Sequence, residues 1–301
     1  MLGGPVIKQH VVEFVLGSGV KTDGILDSTS PNGPWTWVVP MGVAQVFVTG
    51  CAAGSGGGGG TNNANSGGGG GGGSGMSFLD FPVDVVQNTS LQVTIGAKGI
   101  GGTPTVASTA GGDTTIEGVI MPIMTDTGST LKFLGGAGGT TSNLSSGQAG
   151  QAGGKIHSGT AGGAATPTAG TTISTEFIPG TGGVNQSILI HALGGSGGGG
   201  ASAGSGGNGG SYPSAAFISV MWTSFSEASA TSPSQGIGNA TRGGGGVGGN
   251  SLFGKGGNGG NGGSNGTNAT GYGAGGGGGG GAANGGDGSD GYLRITYWSA
   301  D

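Results

Sequence analysis

The chain has 301 residues, of which 85 are glycine, with 7% charged and 6% aromatic side chains and a net charge of −5. So little apolar material excludes an ordinary hydrophobic core along the whole length. A total of 8 lysines and arginines leaves no basic patch for a phosphate backbone, which sets nucleic-acid binding aside. Cys51 stands alone, so no intrachain disulfide is available. No run approaches the roughly 18 apolar residues of a membrane span. The start, Met1-Leu2-Gly3-Gly4-Pro5, lacks the basic-then-apolar pattern of a secretory signal, so synthesis in a cytoplasm is expected.

Glycine at this density normally marks a linker or disorder. Fixing backbone costs about 1–2 kcal/mol per residue, and glycine loses the most freedom. A single hydrogen bond returns only about 1 kcal/mol. An isolated tract therefore stays unfolded, whereas a dense array of bonds between tracts, helped by Cα–H···O contacts, can fold. Strand-like stretches recurring between the tracts favour the array.

In chain order, residues 1–33 form a distinct opening segment. Residues 10–16 (His-Val-Val-Glu-Phe-Val-Leu) predict a strand, and residues 27–33 are turn chemistry. The segment is either an N-terminal attachment peptide or the first strand of the main body. Residues 34–301 form the glycine-rich body. Trp35-Thr36-Trp37-Val38-Val39 and residues 43–49 predict strands around a Pro40-Met41-Gly42 turn. The second strand runs into glycines 56–60, then a polar tip at 61–66, then glycines 67–73, which predicts a hairpin of two extended rods. Met76-Ser77-Phe78-Leu79-Asp80-Phe81 is an apolar patch. Further strands are expected at 91–95, 114–116, 131–134, 187–193 and 292–298, the last pairing beside the Trp35–Val48 hairpin. No helix of normal length is predicted.

The lattice shows most plainly at 256–264, which reads Gly-Gly-Asn, Gly-Gly-Asn, Gly-Gly-Ser. A polyproline II helix has three residues per turn, so Asn258, Asn261 and Ser264 share one edge and two edges stay bare. This predicts an outer rod with its Asn edge facing solvent. The seven-glycine tracts at 67–73 and 275–281 are bare on every edge and belong inside. Gly70, Gly257, Gly260 and Gly278 are expected scaffold positions. The fold class expected is all-β: short antiparallel strands framing a packed sandwich of polyglycine II helices, with essentially no α-helix.

No catalytic constellation stands out. G-x-G-x-x-G matches arise by chance in such a chain, and residues 194–198 fit G-x-S-x-G without the strand-to-helix elbow. His10, His157 and His191 lie far apart with no metal-ligand spacing. Asn284, Asp287 and Asp290 offer oxygen ligands but not the spacing of a calcium loop, and a turn closing the lattice is the preferred reading. No cofactor, metal or enzymatic activity is expected. The texture breaks at about 211–235, where Tyr212, Phe217, Met221, Trp222 and Phe225 lie in an insertion containing no glycine. With Phe78 and Phe81 these are the candidate contact residues, for a receptor or for a neighbouring subunit, the alternative being a local minicore.

Trp37, Pro40-Met41-Gly42 and residues 43–48 before glycines 56–60 resemble the opening of the glycine-rich domain of bacteriophage tail proteins. Gly285-Gly286-Asp287-Gly288 with residues 291–297 is similar to that domain's last strand. The resemblance covers roughly 34–298 and extends to the tip adhesins of phage long tail fibres. It implies stacked polyglycine II helices presenting loops, here 61–66, 76–83 and 211–235, to a bacterial surface receptor, protein or glycan. The expected function is that of a virion structural protein, a tail fibre or tail-tip component, carried on the virion tail beside other virion proteins. The alternative is a non-adhesive structural or decoration protein, and a homo-oligomer is left open.

Overall fold

The computed structural model describes residues 7–28, 32–61, 66–120, 130–136, 138, 190–191, 201–202, 205–206, 233–239 and 241–300. These hold β1 (Ile7–Val15), β2 (Gly19–Thr22), β3 (Ile25–Ser28), β4 (Trp35–Val38), β5 (Gln45–Cys51), β6 (Ser77–Asp84), β7 (Ser90–Thr94) and β8 (Thr114–Glu117). They continue with β9 (Thr130–Phe133), β10 (Ile190–His191), β11 (Ala201–Ser202), β12 (Ser205–Gly206), β13 (Phe253–Lys255), β14 (Thr270–Tyr272) and β15 (Tyr292–Ala300). Every strand pairing is antiparallel, and no helix occurs among the described residues. The fold is all-β.

A seven-stranded sheet runs β10-β6-β5-β15-β1-β2-β3, and a four-stranded sheet runs β4-β7-β8-β9. Period-two patterning gives each sheet one apolar face. Val12, Phe14, Val46, Val48, Leu293 and Ile295 of the first sheet join Trp35, Leu91, Val93, Ile116 and Phe133 of the second in one buried cluster. Phe14 meets Trp35 at 6.1 Å between ring centroids, and Trp37 meets Tyr297 at 5.6 Å, which ties the sheets together.

One sequence expectation changes here. Trp35–Val38 and Gln45–Cys51 do not pair as a hairpin: β4 pairs with β7 and β5 with β15, so the 40–42 turn carries the chain from one sheet to the other. Of the opening segment, expected as either an attachment peptide or the first strand of the main body, residues 7–28 hold β1, β2 and β3 of the large sheet. β1 pairs with β15 from Ile7↔Ala300 to Phe14↔Leu293, and Val12 and Phe14 are fully buried in the shared core.

Beyond the sheets the strands continue as extended rods. Rod 1 (52–60) follows β5 and rod 2 (66–75) leads into β6; rod 3 (96–103) and rod 4 (108–113) lie between β7 and β8. Rod 5 (135–136) follows β9, while rods 6 (233–239) and 7 (243–250) precede β13. Rods 8 (256–262) and 9 (264–269) join β13 to β14, and rods 10 (274–281) and 11 (283–291) join β14 to β15.

Their bonding has the threefold period of a polyproline II helix. In rod 1, Ala52, Ser55 and Gly58 donate to Met76, Gly73 and Gly70 of the rod 2 strand; Ala53 and Gly56 donate to Gly112 and Thr109 of rod 4; Gly54, Gly57 and Gly60 donate to Ser289, Gly286 and Ala283 of rod 11. Its carbonyls accept from rods 3, 5 and 10 through Gly99, Gly136 and Gly276. Rod 1 is thus enclosed by rods 11, 3, 4, 5, 2 and 10. Rod 10 is enclosed in the same way by rods 1, 2, 7, 8, 9 and 11, with Gly278 donating to Gly246, Gly279 to Gly58 and Gly280 to Ser264. The tract at 275–281 is therefore the bare-edged interior rod that its sequence predicts.

Glycine is required here for close approach rather than for backbone freedom. No glycine of rods 1, 2 or 10 has a positive φ. A Cβ on Gly278 would overlap the carbonyl oxygen of Gly69, one on Gly257 that of Thr267, and one on Gly260 that of Ser264. Gly70 is buried and accepts the Gly58 N–H at 2.8 Å; the crowded positions beside it are Gly69 and Gly71, where a Cβ would overlap the carbonyls of Gly58 and Val247.

Candidate functional site

The rods leave the sheets and return to them, so their turns collect at the end away from the sandwich. Rods 1 and 2 reach this end at Thr61 and Ser66, and rods 6 and 7 at Asn239 and Thr241, while rods 3 and 4 turn at 104–107, rods 8 and 9 at 263, and rods 10 and 11 at 282. Bonds level these turns with one another. Ala282 N–H donates to Thr61, Gly243 N–H to Ser66, and Gly281 N–H to Gly243, at 2.8–2.9 Å. Ser66 and Arg242 form a parallel bridge. Asn239 fixes its turn by accepting from the Arg242 N–H at 3.0 Å and donating from Nδ2 to Gly262 at 2.8 Å.

The resulting distal face is hydroxyl- and amide-bearing, with Thr61, Thr241 and Ser264 beside Asn239. Arg242 is exposed and is the only cation of this face among the described residues. Such a surface offers hydrogen bonds and one guanidinium fork to a polyol or an anionic group. Among the described residues no group of His, Cys, Asp and Glu is placed to hold a metal ion.

The candidate contact residues fall differently. Tyr212, Phe217, Met221, Trp222 and Phe225 lie outside the described residues. The chain re-enters the lattice at Pro233 and Ser234, alongside Asn258, on the sheet side of rod 6 rather than at its tip. The 76–83 stretch is not a display loop. Met76 is buried in the core, Ser77–Asp84 is β6, and Phe81 pairs with Val48 and packs against the apolar cluster. Phe78 pairs through its backbone with Gly50 and Ile190. An apolar stretch leaving a glycine tract is what a strand returning to the core requires.

The acids at the C-terminal end are lattice parts. Asp287 accepts the Gly101 N–H at 2.9 Å through Oδ1 and pairs with the Lys98 ammonium at 2.9 Å through Oδ2; Asp290 accepts the Lys98 N–H at 2.8 Å. Burial alone pushes Asp287 up, but the Gly101 N–H and Lys98 together hold it below the usual carboxylate range. Asp23 is also held low, by the Val11 N–H first and the His10 ring second. On the outer face of the large sheet, burial and then the Glu13 carboxylate push the Tyr292 hydroxyl well up. That hydroxyl donates to Glu13 at 2.7 Å, and the ring stacks on Tyr272 at 5.0 Å.

Sequence reasoning did not find Arg242 or Asn239, single residues among glycines with no spacing to mark them. It also missed the use of the Asn edge. Asn258 and Asn261 do not simply face solvent: their side-chain oxygens accept the Ser234 and Ile237 N–H groups of rod 6, each at 2.8 Å. The threefold spacing of Asn258 and Asn261, and of Asn265 and Asn268, was the available signal.

A two-sheet sandwich continued as a hydrogen-bonded polyglycine lattice defines an all-β glycine-lattice protein. Residues 29–298 match the model of the glycine-rich domain family, and the chain belongs to that family. β1, β2 and β3 precede the matched residues. No curated protein matches the chain.

Proposed function

We propose that this chain is a virion structural protein of a bacteriophage, a tail fibre or tail-tip component that presents its distal face to the host envelope. The observation that carries the proposal is the levelled set of short polar turns, held by a lattice whose interior rods are bonded on every side. Binding without catalysis suits this arrangement, because a rigid scaffold lowers the ordering cost of recognition. The partners on this reading are other virion proteins at the sandwich end and a bacterial surface protein or glycan at the distal face. Resemblance of the Trp37 to Val48 opening and of the closing strand to phage tail proteins supplies the phage assignment.

A second reading, a non-adhesive virion structural or decoration protein, draws on the opposite pole. There Val38 is 55% and Met41 77% exposed, an apolar surface suited to a neighbouring subunit. The test is retention of the fluorescently labelled protein on a panel of bacterial strains, beside an Asn239→Ala, Arg242→Ala variant. Saturable retention that the variant loses, at an unchanged melting temperature, supports the adhesive reading. No retention on any strain, with concentration-dependent self-association lost in Met41→Asp, supports the second reading.

A further inference from the structure

Asn-Gly dipeptides recur on rods 8 and 9, and each of these meets one residue of the next rod twice. Asn258 Oδ1 accepts the Ser234 N–H at 2.8 Å, while the Gly259 N–H donates to the Ser234 carbonyl at 2.9 Å. Asn261 and Gly262 hold Ile237 in the same way, at 2.8 and 2.8 Å. Asn265 and Gly266 hold Asn284, at 3.0 and 2.9 Å. Asn268 and Ala269 hold Asp287, at 2.8 and 2.8 Å. Packing dictates the glycine, because a Cβ on Gly259 or Gly266 would overlap the carbonyl of Gly245 or Gly277. The clamp dictates the asparagine.

Asn-Gly is also the dipeptide most prone to deamidation. The glycine amide nitrogen, losing its proton, attacks the Asn side-chain carbonyl carbon. A nitrogen–carbon bond forms, the bond to the side-chain amide breaks, and ammonia leaves. Water then opens the succinimide to aspartate or isoaspartate. We propose that Asn258, Asn261 and Asn265 are deamidation sites gated by the lattice. The clamp occupies both reacting groups, the glycine N–H and the side-chain carbonyl, so reaction requires the rod to come away from its neighbour. Isoaspartate adds a backbone carbon and breaks the threefold match, so a chain modified at these sites does not regain the clamp. Asn284-Gly285 is the internal comparison. Its Gly285 N–H is bonded to Gly102 at 2.8 Å, but the exposed Asn284 side chain has no hydrogen-bond partner among the described residues.

The test incubates the intact protein in mildly alkaline buffer, folded and in urea, and follows each site by peptide mass mapping with isoaspartate separation. In the folded protein the three clamped sites are expected to deamidate at least about tenfold more slowly than in urea, equivalent to about 1.4 kcal/mol, with Asn284 the fastest of the four. In urea the four rates converge. Equal folded and urea rates at the clamped sites, or folded rates at those sites matching Asn284, would overturn the proposal.

Discussion

The α-carbon of Gly278 faces the carbonyl oxygen of Gly69 so closely that a Cβ on Gly278 would overlap it. Neither glycine has the positive φ that only glycine tolerates, so what the position demands is the missing side chain. The neighbouring atoms are backbone of an enclosed rod and have nowhere to move. Gly278→Ala is therefore expected to abolish soluble folding. Gly17→Ala, in a loop with open space around the Cβ and φ of 79°, should cost only about 1–2 kcal/mol. Expression and thermal melting of the two variants check the contrast.

Tyr292 links the sheet to the β13–β14 ribbon. Tyr292→Phe keeps the ring stack on Tyr272 and removes the hydroxyl that donates to Glu13. The expected loss is about 1 kcal/mol in urea unfolding. The hydroxyl's ionisation is raised in the fold, so its stabilisation is present below the ordinary tyrosine range and is lost as pH rises through the folded value. Ultraviolet titration should show one tyrosine ionising later than an unfolded control, and Tyr292→Phe should remove it.

Asp287 carries acid sensitivity of the opposite sign. Its ionisation is depressed in the fold. The stabilisation is therefore full above the unfolded carboxylate value of about 3.9 and is lost as pH falls through the lower folded value. Asp287→Asn keeps an acceptor for the Gly101 N–H but loses the Lys98 pair. Melting temperatures followed from neutral to strongly acid pH should fall less steeply in the variant; identical slopes would contradict the assignment.

Cys51 is fully buried where β5 passes into rod 1, and burial pushes its thiol far up. The folded protein should not react with a thiol-exchange reagent at neutral pH, and denaturant should expose one reactive thiol per chain. Prompt reaction of the folded protein would mean that the junction between sheet and lattice is open.

Much of this fold was legible because its physics is local. Alternation in Val46-Phe47-Val48 and in Leu293-Arg294-Ile295 marks half-buried strands, and bare tracts at 67–73 and 275–281 mark rods packed on their edges. The partner of each strand was not legible. Nothing in residues 35–49 says that the 40–42 turn passes between sheets, because a two-sheet corner and a hairpin share turn chemistry. The two readings of the opening strand stay open in the sequence for a similar reason, since its partner, β15, lies at the other end of the chain. Of the distal face only Thr61 and Ser66, the two ends of the expected 61–66 loop, were anticipated. Arg242 and Asn239 acquire a place only when rods 6 and 7 are levelled with rods 1, 2 and 10.

The most direct test of the lattice is native-state hydrogen exchange resolved to single glycine amides. If rod 10 is bonded on every side, the amides of residues 275–281 exchange only with global unfolding, at the same free energy as the amides of β5 and β15. Exchange of those glycines at free-peptide rates, while β5 and β15 stay protected, would contradict a folded lattice and leave only a sandwich with glycine loops.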